Sequence, residues 1–300
     1  MKITIAGDAG YCFGVRDAVN LAYESAEKDG KVYMLGDIVH NEQVVADLAQ
    51  AGTKVVETLD EIPDDKPVLF RAHGTATRVW DEAGEKGLNI IDATCPLVQE
   101  IHDEVKKLEK DGRQIIIIGD HGHDEVVGIV SHANNPLVLA TPEEARALRK
   151  MKRVGVVSQS TQTIENVQEI INILMTKVFD LHFINTICFP TKRNQEQIKE
   201  LAADSDVMVI IGSFTSANSK RLTQLALEIN PNTYQVNSAE NLDPAWFDQV
   251  EKVGISAGAS TPLTDRTVSV KPPTCVLEAP ASLIISLVTI NHASFPPAER

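Results

Sequence analysis

Apolar and polar positions along this chain fall into blocks. Short runs rich in Val and Ile at 3–6, 32–35, 68–70, 90–91, 114–118, 154–157, 207–211 and 253–255 predict strands. Between them, apolar residues recur at helical spacing over 15–26, 43–51, 97–110, 164–176, 195–203 and 219–227. Strand and helix in repeated alternation predict an α/β fold with mainly parallel sheets. Runs such as IIIIG at 115–119 and VMVIIG at 207–212 contain no polar break. A strand inside a parallel sheet is covered on both faces, and an unbroken apolar run satisfies that.

The strand runs end alike. Each passes into a cluster of small and polar residues and then into a helix: IAGDAGYCFG, FRAHGTA, IDATCPLV, IIGDHGHDE, VVSQST, IIGSFTSANS and ISAGASTP. Ligands of open α/β sheets bind outside the carboxyl ends of the strands, so these clusters mark the expected site. From about 263 the chain turns Pro- and Ser-rich without a clean period, and an irregular tail over 263–300 is expected.

Length and charge narrow the picture. At 300 residues, length alone suggests about two domains. The near-equal spacing of Cys12, Cys95 and Cys188 argues instead for three α/β modules, over 1–95, 96–187 and 188–262. A net charge of −14 speaks against nucleic acid or an anionic membrane as a partner. MKITIAGDAG has no secretory apolar core, and the apolar runs are too short to span a bilayer, so a cytoplasmic protein is expected. In that reducing compartment the cysteines call for an explanation other than disulfides.

Cys12, Cys95 and Cys188 each lie just before a helical stretch. A helix N-terminus stabilises a thiolate, which is the form that binds metal. Any one of them alone reads as a small buried apolar residue. Three at equivalent turns read together as metal ligands. Clustered CxxC pairs, which zinc favours, are absent. Iron–sulfur clusters commonly take four thiolates, so three would leave one iron open. Cys275, in the irregular tail, is given a structural reading.

His40, His73 and His123 follow strand runs and can donate hydrogen bonds to a phosphate; each alone could equally be a loop or capping residue. His121 is ambiguous in the same way, whereas His102, His132, His182 and His292 are read as structural or surface residues. Glu125 is either a proton donor or a first-turn glutamate. Ser160 with Thr161, Ser216 with Asn218, and Ser260 stand at helix starts, as N-caps or as an anion cradle. Neither a Walker A loop nor a GxGxxG fingerprint is present.

Taken in order, CFGV at Cys12, VHN at His40, AHG at His73, DATCPLV at Cys95, GHDE at His123 to Glu125, SQST, IC at Cys188, SANS at 216–219 and AGAS at Ser260 resemble the 4-hydroxy-3-methylbut-2-enyl diphosphate reductase family of the non-mevalonate isoprenoid pathway. The resemblance covers about 1–262. It implies three pseudo-repeated modules in a trefoil around one central 4Fe–4S cluster held by Cys12, Cys95 and Cys188. It implies that His40, His73, His123, Ser216, Asn218 and Ser260 hold a diphosphate. Ala217 stands where some members have Ser, leaving only its backbone N–H. Glu125 matches the proton-supplying acid, Ser160 and Thr161 the hydroxyl pair near the substrate alcohol, and Thr191 a nearby polar position. After Pro262 the sequence departs from the family pattern.

The implied reaction is reductive dehydroxylation to isopentenyl and dimethylallyl diphosphates, with electrons from a ferredoxin or flavodoxin type carrier. Three other readings stand beside it. They are a cluster-dependent hydro-lyase, a non-catalytic iron–sulfur redox sensor, and a metal-free binder of phosphorylated metabolites.

Overall fold

The structure, a computed structural model, describes residues 1–262 and 274–278. The chain opens with β1 (Lys2–Ala6) and α1 (Phe13–Asp29), followed by β2 (Val32–Leu35), α2 (Glu42–Gln50), β3 (Thr53–Val56), β4 (Pro67–Phe70), α3 (Thr77–Glu85) and β5 (Asn89–Asp92). Next come α4 (Pro96–Lys110), β6 (Gln114–Ile118), α5 (Asp124–Val130), β7 (Leu137–Leu139), α6 (Pro142–Ala147), β8 (Met151–Ser158), α7 (Ile164–Met175) and β9 (Val178–Phe183). The last part holds α8 (Phe189–Asp204), β10 (Val207–Ile211), α9 (Ala217–Leu227), β11 (Thr233–Val236), β12 (Lys252–Ala257) and β13 (Thr274–Glu278).

These strands form three sheets, ordered β11-β10-β12-β1-β13, β3-β2-β4-β5 and β7-β6-β8-β9. Every pairing is parallel except β1 with β13. The fold is therefore α/β with mainly parallel sheets. The chain divides into two compact units. Met1–Arg16, Val39–Gln50 and Phe189–Arg300 make one; Asp17–Ile38 and Ala51–Cys188 make the other.

The first unit contains the five-stranded sheet. Along β10, Val207, Val209 and Ile211 pack with Ile3, Ile5, Val253 and Ile255 on one face. Met208 and Ile210 point the other way, onto Ile198, Leu201, Leu222 and Leu225 of α8 and α9. Both faces are dry, which is why the run has no polar break. The first strand of the chain lies between β12 and β13, so it joins elements that follow it by about 250 residues or more in sequence.

The second unit contains the other two sheets. The same two-sided burial holds in β6. Ile116 and Ile118 pack toward α7 through Val167, Ile170 and Leu174. Ile115 and Ile117 pack toward α4 and α5 through Ile101, Val105, Leu108, Val126 and Ile129. In the four-stranded sheet of β2 to β5, Phe70 sits edge-on to Trp80 of α3, ring centroids 4.8 Å apart.

The tail differs from expectation at one place. Thr274–Glu278 is a strand, antiparallel to β1, and Cys275 lies within it opposite Ile5. Five residues among prolines are too short a run to stand out, and the open side of β1 supplies the pairing. The rest of the tail, including His292, lies outside the described residues.

Candidate functional site

In the first unit, the carboxyl ends of β1, β10 and β12 carry the polar residues. Ser216 caps α9: its side chain accepts a hydrogen bond from the Ser219 N–H at 3.3 Å. Ser260 Oγ donates to the His40 carbonyl at 3.2 Å and lies 3.4 Å from Ser216 Oγ, within hydrogen-bond reach. Asn218 Oδ1 accepts from the Ala259 N–H at 3.0 Å, which ties the loop after β12 to the start of α9. His40, Ser216, Ala217, Asn218 and Ser260 therefore occupy one neighbourhood.

Asn41, present in the VHN motif but given no role from the sequence, completes it. Its Nδ2 donates to the Ser260 carbonyl at 3.0 Å while its Oδ1 accepts from the Val44 N–H at the head of α2. An Asn just before an apolar helical run is an ordinary N-cap signal and was legible as such. The second function of its amide was not.

Beside it lies a cavity of about 220 Å³ whose lining includes Cys12, Thr191, Asn194 and Asn218. The rings of Phe13 and Phe189, also in its wall, stack with centroids 5.8 Å apart. Asp8 is fixed there by Arg193 at 2.8 Å and by Gln197, whose Oε1 accepts from the Asp8 N–H. On the far side of Asn41, Glu42 accepts from Ser213 Oγ at 2.8 Å and Thr215 Oγ at 3.0 Å. Burial pushes the Glu42 carboxyl up. Its own backbone N–H, the two hydroxyls and nearby His40 outweigh that and hold it below the ordinary value.

In the second unit a continuous set of contacts joins the other expected residues. Cys95 caps α4, with Pro96 in the first turn where its missing N–H costs nothing. The Cys95 N–H donates to the Ala72 carbonyl at 3.0 Å, next to His73. The rings of His73 and His123 meet edge to face at 5.8 Å. His123 caps α5, its Nδ1 accepting from the Glu125 N–H at 3.1 Å.

Glu125, only 1% exposed, accepts from the Ser160 N–H at 2.6 Å and from Ser160 Oγ at 2.8 Å. The Ser160 carbonyl in turn accepts from the Cys188 N–H at 3.0 Å. Thr161 Oγ1 accepts from Gln159 Nε2 at 3.2 Å, and Gln159 Oε1 accepts from the Asp120 N–H at 3.0 Å. Gln159 is a second position the sequence reading did not single out, although it lies within the SQST segment. The ambiguous His121 pairs with Glu144 at the surface.

A hydroxyl donates and accepts at once. While donating to Glu125, Ser160 Oγ keeps lone pairs for a donor on its other side. The pair is thus equipped to pass a proton between a buried carboxyl group and a bound molecule.

The three cysteines are half-buried thiols outside any disulfide. Each lies at a strand-to-helix turn, one residue before a helix begins. Among the described residues, no three His, Cys, Asp or Glu side chains converge closely enough to hold a single metal ion. As a donor set, three thiols suit soft, cluster-type iron rather than a hard oxygen-bound cation.

The sequence pattern of the family described as LytB protein matches residues 3–268. A 4-hydroxy-3-methylbut-2-enyl diphosphate reductase of Geotalea uraniireducens is 43% identical over 263 residues, covering 87% of this chain and 93% of the relative. The Geotalea daltonii protein of the same description is 44% identical over the same length. A solved structure of (E)-4-hydroxy-3-methyl-but-2-enyl diphosphate reductase, the terminal enzyme of the non-mevalonate pathway, matches with a TM-score of 0.65 and 40% identity, covering 87% of this chain and 95% of that one. The structure of the E-1-hydroxy-2-methyl-but-2-enyl-4-diphosphate reductase from Plasmodium falciparum matches with a TM-score of 0.83 and 28% identity, covering 87% of this chain and 84% of that one. By sequence pattern, by relatives matched over nearly their whole length and by fold, this chain belongs to the LytB protein family.

Proposed function

We propose that this chain is a cytoplasmic reductase that converts 4-hydroxy-3-methylbut-2-enyl diphosphate to isopentenyl and dimethylallyl diphosphates. In the net reaction a C–O bond breaks, the oxygen leaves as water, and a C–H bond forms. Two electrons and two protons are consumed, the electrons arriving singly from a ferredoxin or flavodoxin type carrier. Relatives named for this reductase, matched over most of their length, support the reading. So does the chemistry of the polar set.

Cys12, Cys95 and Cys188 would hold one 4Fe–4S cluster. When bound, it supplies a Lewis-acidic iron and a path for single electrons. The remaining work falls to the chain. His40, His73, His123, Ser216, Asn218 and Ser260, with the Ala217 N–H, hold the diphosphate through imidazole, hydroxyl, amide and helix-start donors. Ser160 and Thr161 orient the alcohol, and Thr191 offers a further polar side chain to the substrate. Glu125 delivers a proton through Ser160 Oγ to the departing oxygen.

The observation that carries this reading is the buried carboxyl of Glu125, gripped through both oxygens by Ser160. Such a group has a stake in proton transfer that a surface first-turn glutamate lacks. The test is anaerobic purification with iron and sulfide analysis, followed by conversion of the hydroxylated diphosphate with a chemical reductant. Product formed only with reductant is expected. Conversion without reductant would point to a hydro-lyase, and protein free of iron and sulfide would overturn the cluster assignment.

A further inference from the structure

His102, on the second turn of α4, and His132, just after α5, stack with ring centroids 4.2 Å apart. His102 is 7% exposed. The Nε2 atoms of both rings are buried and have no hydrogen-bond partner among the described residues. Neither ring belongs to the polar set described above. Two orphaned nitrogens this deep call for a reason.

The glycines around His102 provide one. Gly74 follows His73 directly and has φ +84°; a β-carbon there would stand 2.8 Å from His102 Cε1. Gly128 lies three residues beyond Glu125 in α5. A β-carbon there would stand 3.6 Å from His102 Nε2 and 3.7 Å from the Gly74 carbonyl carbon. So α4, the His73 loop and α5 meet at one point, with a bare backbone on two sides and an imidazole on the third. Each arm carries part of the polar set: Cys95 at the head of α4, His73 on the loop, and His123 with Glu125 at the head of α5.

We propose that His102 is a positioning residue, the wedge that sets the spacing between the His73 loop and the helix of His123 and Glu125. Apolar packing alone would fill the space. A flat ring does so while letting two glycine backbones approach from different directions. Burial, then the neighbouring His132 ring and Lys106, against Asp103, hold the imidazole down to about 4. The wedge therefore stays uncharged at neutral pH. The inference uses the proposed function only for its kinetic readout.

The test compares the wild type with His102→Ala, Gly74→Ala and the double variant. Conversion of the hydroxylated diphosphate is measured together with the NMR resonances of the His73 and His123 rings. His102→Ala should lower kcat/KM about tenfold or more and shift both sets of ring resonances. Gly74→Ala should do the same, through collision of its methyl group with the ring and through backbone strain at φ +84°; the double variant relieves only the collision. In the double variant the methyl group enters the vacated space, so ring resonances and kcat/KM should both recover from Gly74→Ala by about fivefold or more in rate.

Unchanged rings in His102→Ala, or two effects that simply multiply, would overturn the wedge. If the wild type converts no substrate, the functional reading fails, yet the ring resonances still decide this inference. Should His102→Ala not fold, His102→Gln and His102→Asn replace it. The longer amide should remain near wild type and the shorter one should not; equal behaviour of the two counts against the proposal.

Discussion

Glu125 shows how much one side chain can be asked to do. Each of its two oxygens accepts a hydrogen bond from Ser160. In Glu125→Gln one oxygen can still accept from the Ser160 N–H. The new amide must then donate to Ser160 Oγ, which reverses that hydroxyl. The fold should survive, because the Ser160 hydroxyl can turn from donor to acceptor. The proton route should not, and turnover should fall about 10²- to 10⁴-fold with little change in melting temperature. Reductant-dependent assay beside thermal unfolding checks this; retained turnover removes Glu125 from the mechanism. His102 offers a separate check through pH. Its imidazole lies at about 4 in the fold against 6.5 ordinarily. Between those values the unfolded chain takes up a proton that the folded state refuses. Stability therefore falls as pH drops through that window, by roughly 3 kcal/mol at most. His102→Gln should lose less stability than wild type in urea unfolding compared at about pH 7.5 and about pH 4.5. Equal losses would remove His102 from the acid response.

At the scale of elements, the strands that the apolar pattern predicts are β1, β2, β4, β6, β8, β10 and β12, together with β5. All but β5 lie inside a sheet. The strands it misses, β3, β7, β9, β11 and β13, are all edges. The reason is physical: an interior strand needs apolar side chains on both faces, whereas an edge strand is paired on one side and part-wetted. Phe179 of β9, for example, is 94% exposed. Helices are expected after the clusters at His73 and His123, so α3 and α5 lack only their bounds; α6, with six residues, is missed because it holds too few turns for a period to show. Ile117→Ala, which empties a fully buried site between β6 and α4, should cost about 2–5 kcal/mol by denaturant unfolding. Helix caps separate structure from function. Thr163 caps α7 as Ser216 caps α9. Alanine at either should cost about 0.5–2 kcal/mol, but only Ser216→Ala should also raise KM for the diphosphate. Equal kinetics in the two variants would leave Ser216 a cap and nothing more.

At the scale of the whole molecule, continuity in sequence and continuity in space part company. The sheet of β6 to β9 is drawn from one stretch, Gln114 to Phe183, with its helices between. A fragment of residues 96–188 should therefore keep cooperative thermal unfolding by circular dichroism. A fragment starting at residue 39 should not, because it lacks β1 from the middle of one sheet and β2 from the middle of another. The amino-acid sequence by itself determined the α/β class, the interior strands, and the places where polar residues gather at strand ends. These are local matters: burial on both faces demands apolar runs, and strand ends expose polar turns. Only the tertiary structure decided that Asn41 reaches the Ser260 carbonyl across the chain, that Ser160 takes both oxygens of Glu125, and that His102 stands against two glycines. Such contacts join residues far apart in the chain, and no periodicity encodes them. They arise when folding brings separate turns together, where most buried donors and acceptors find a partner.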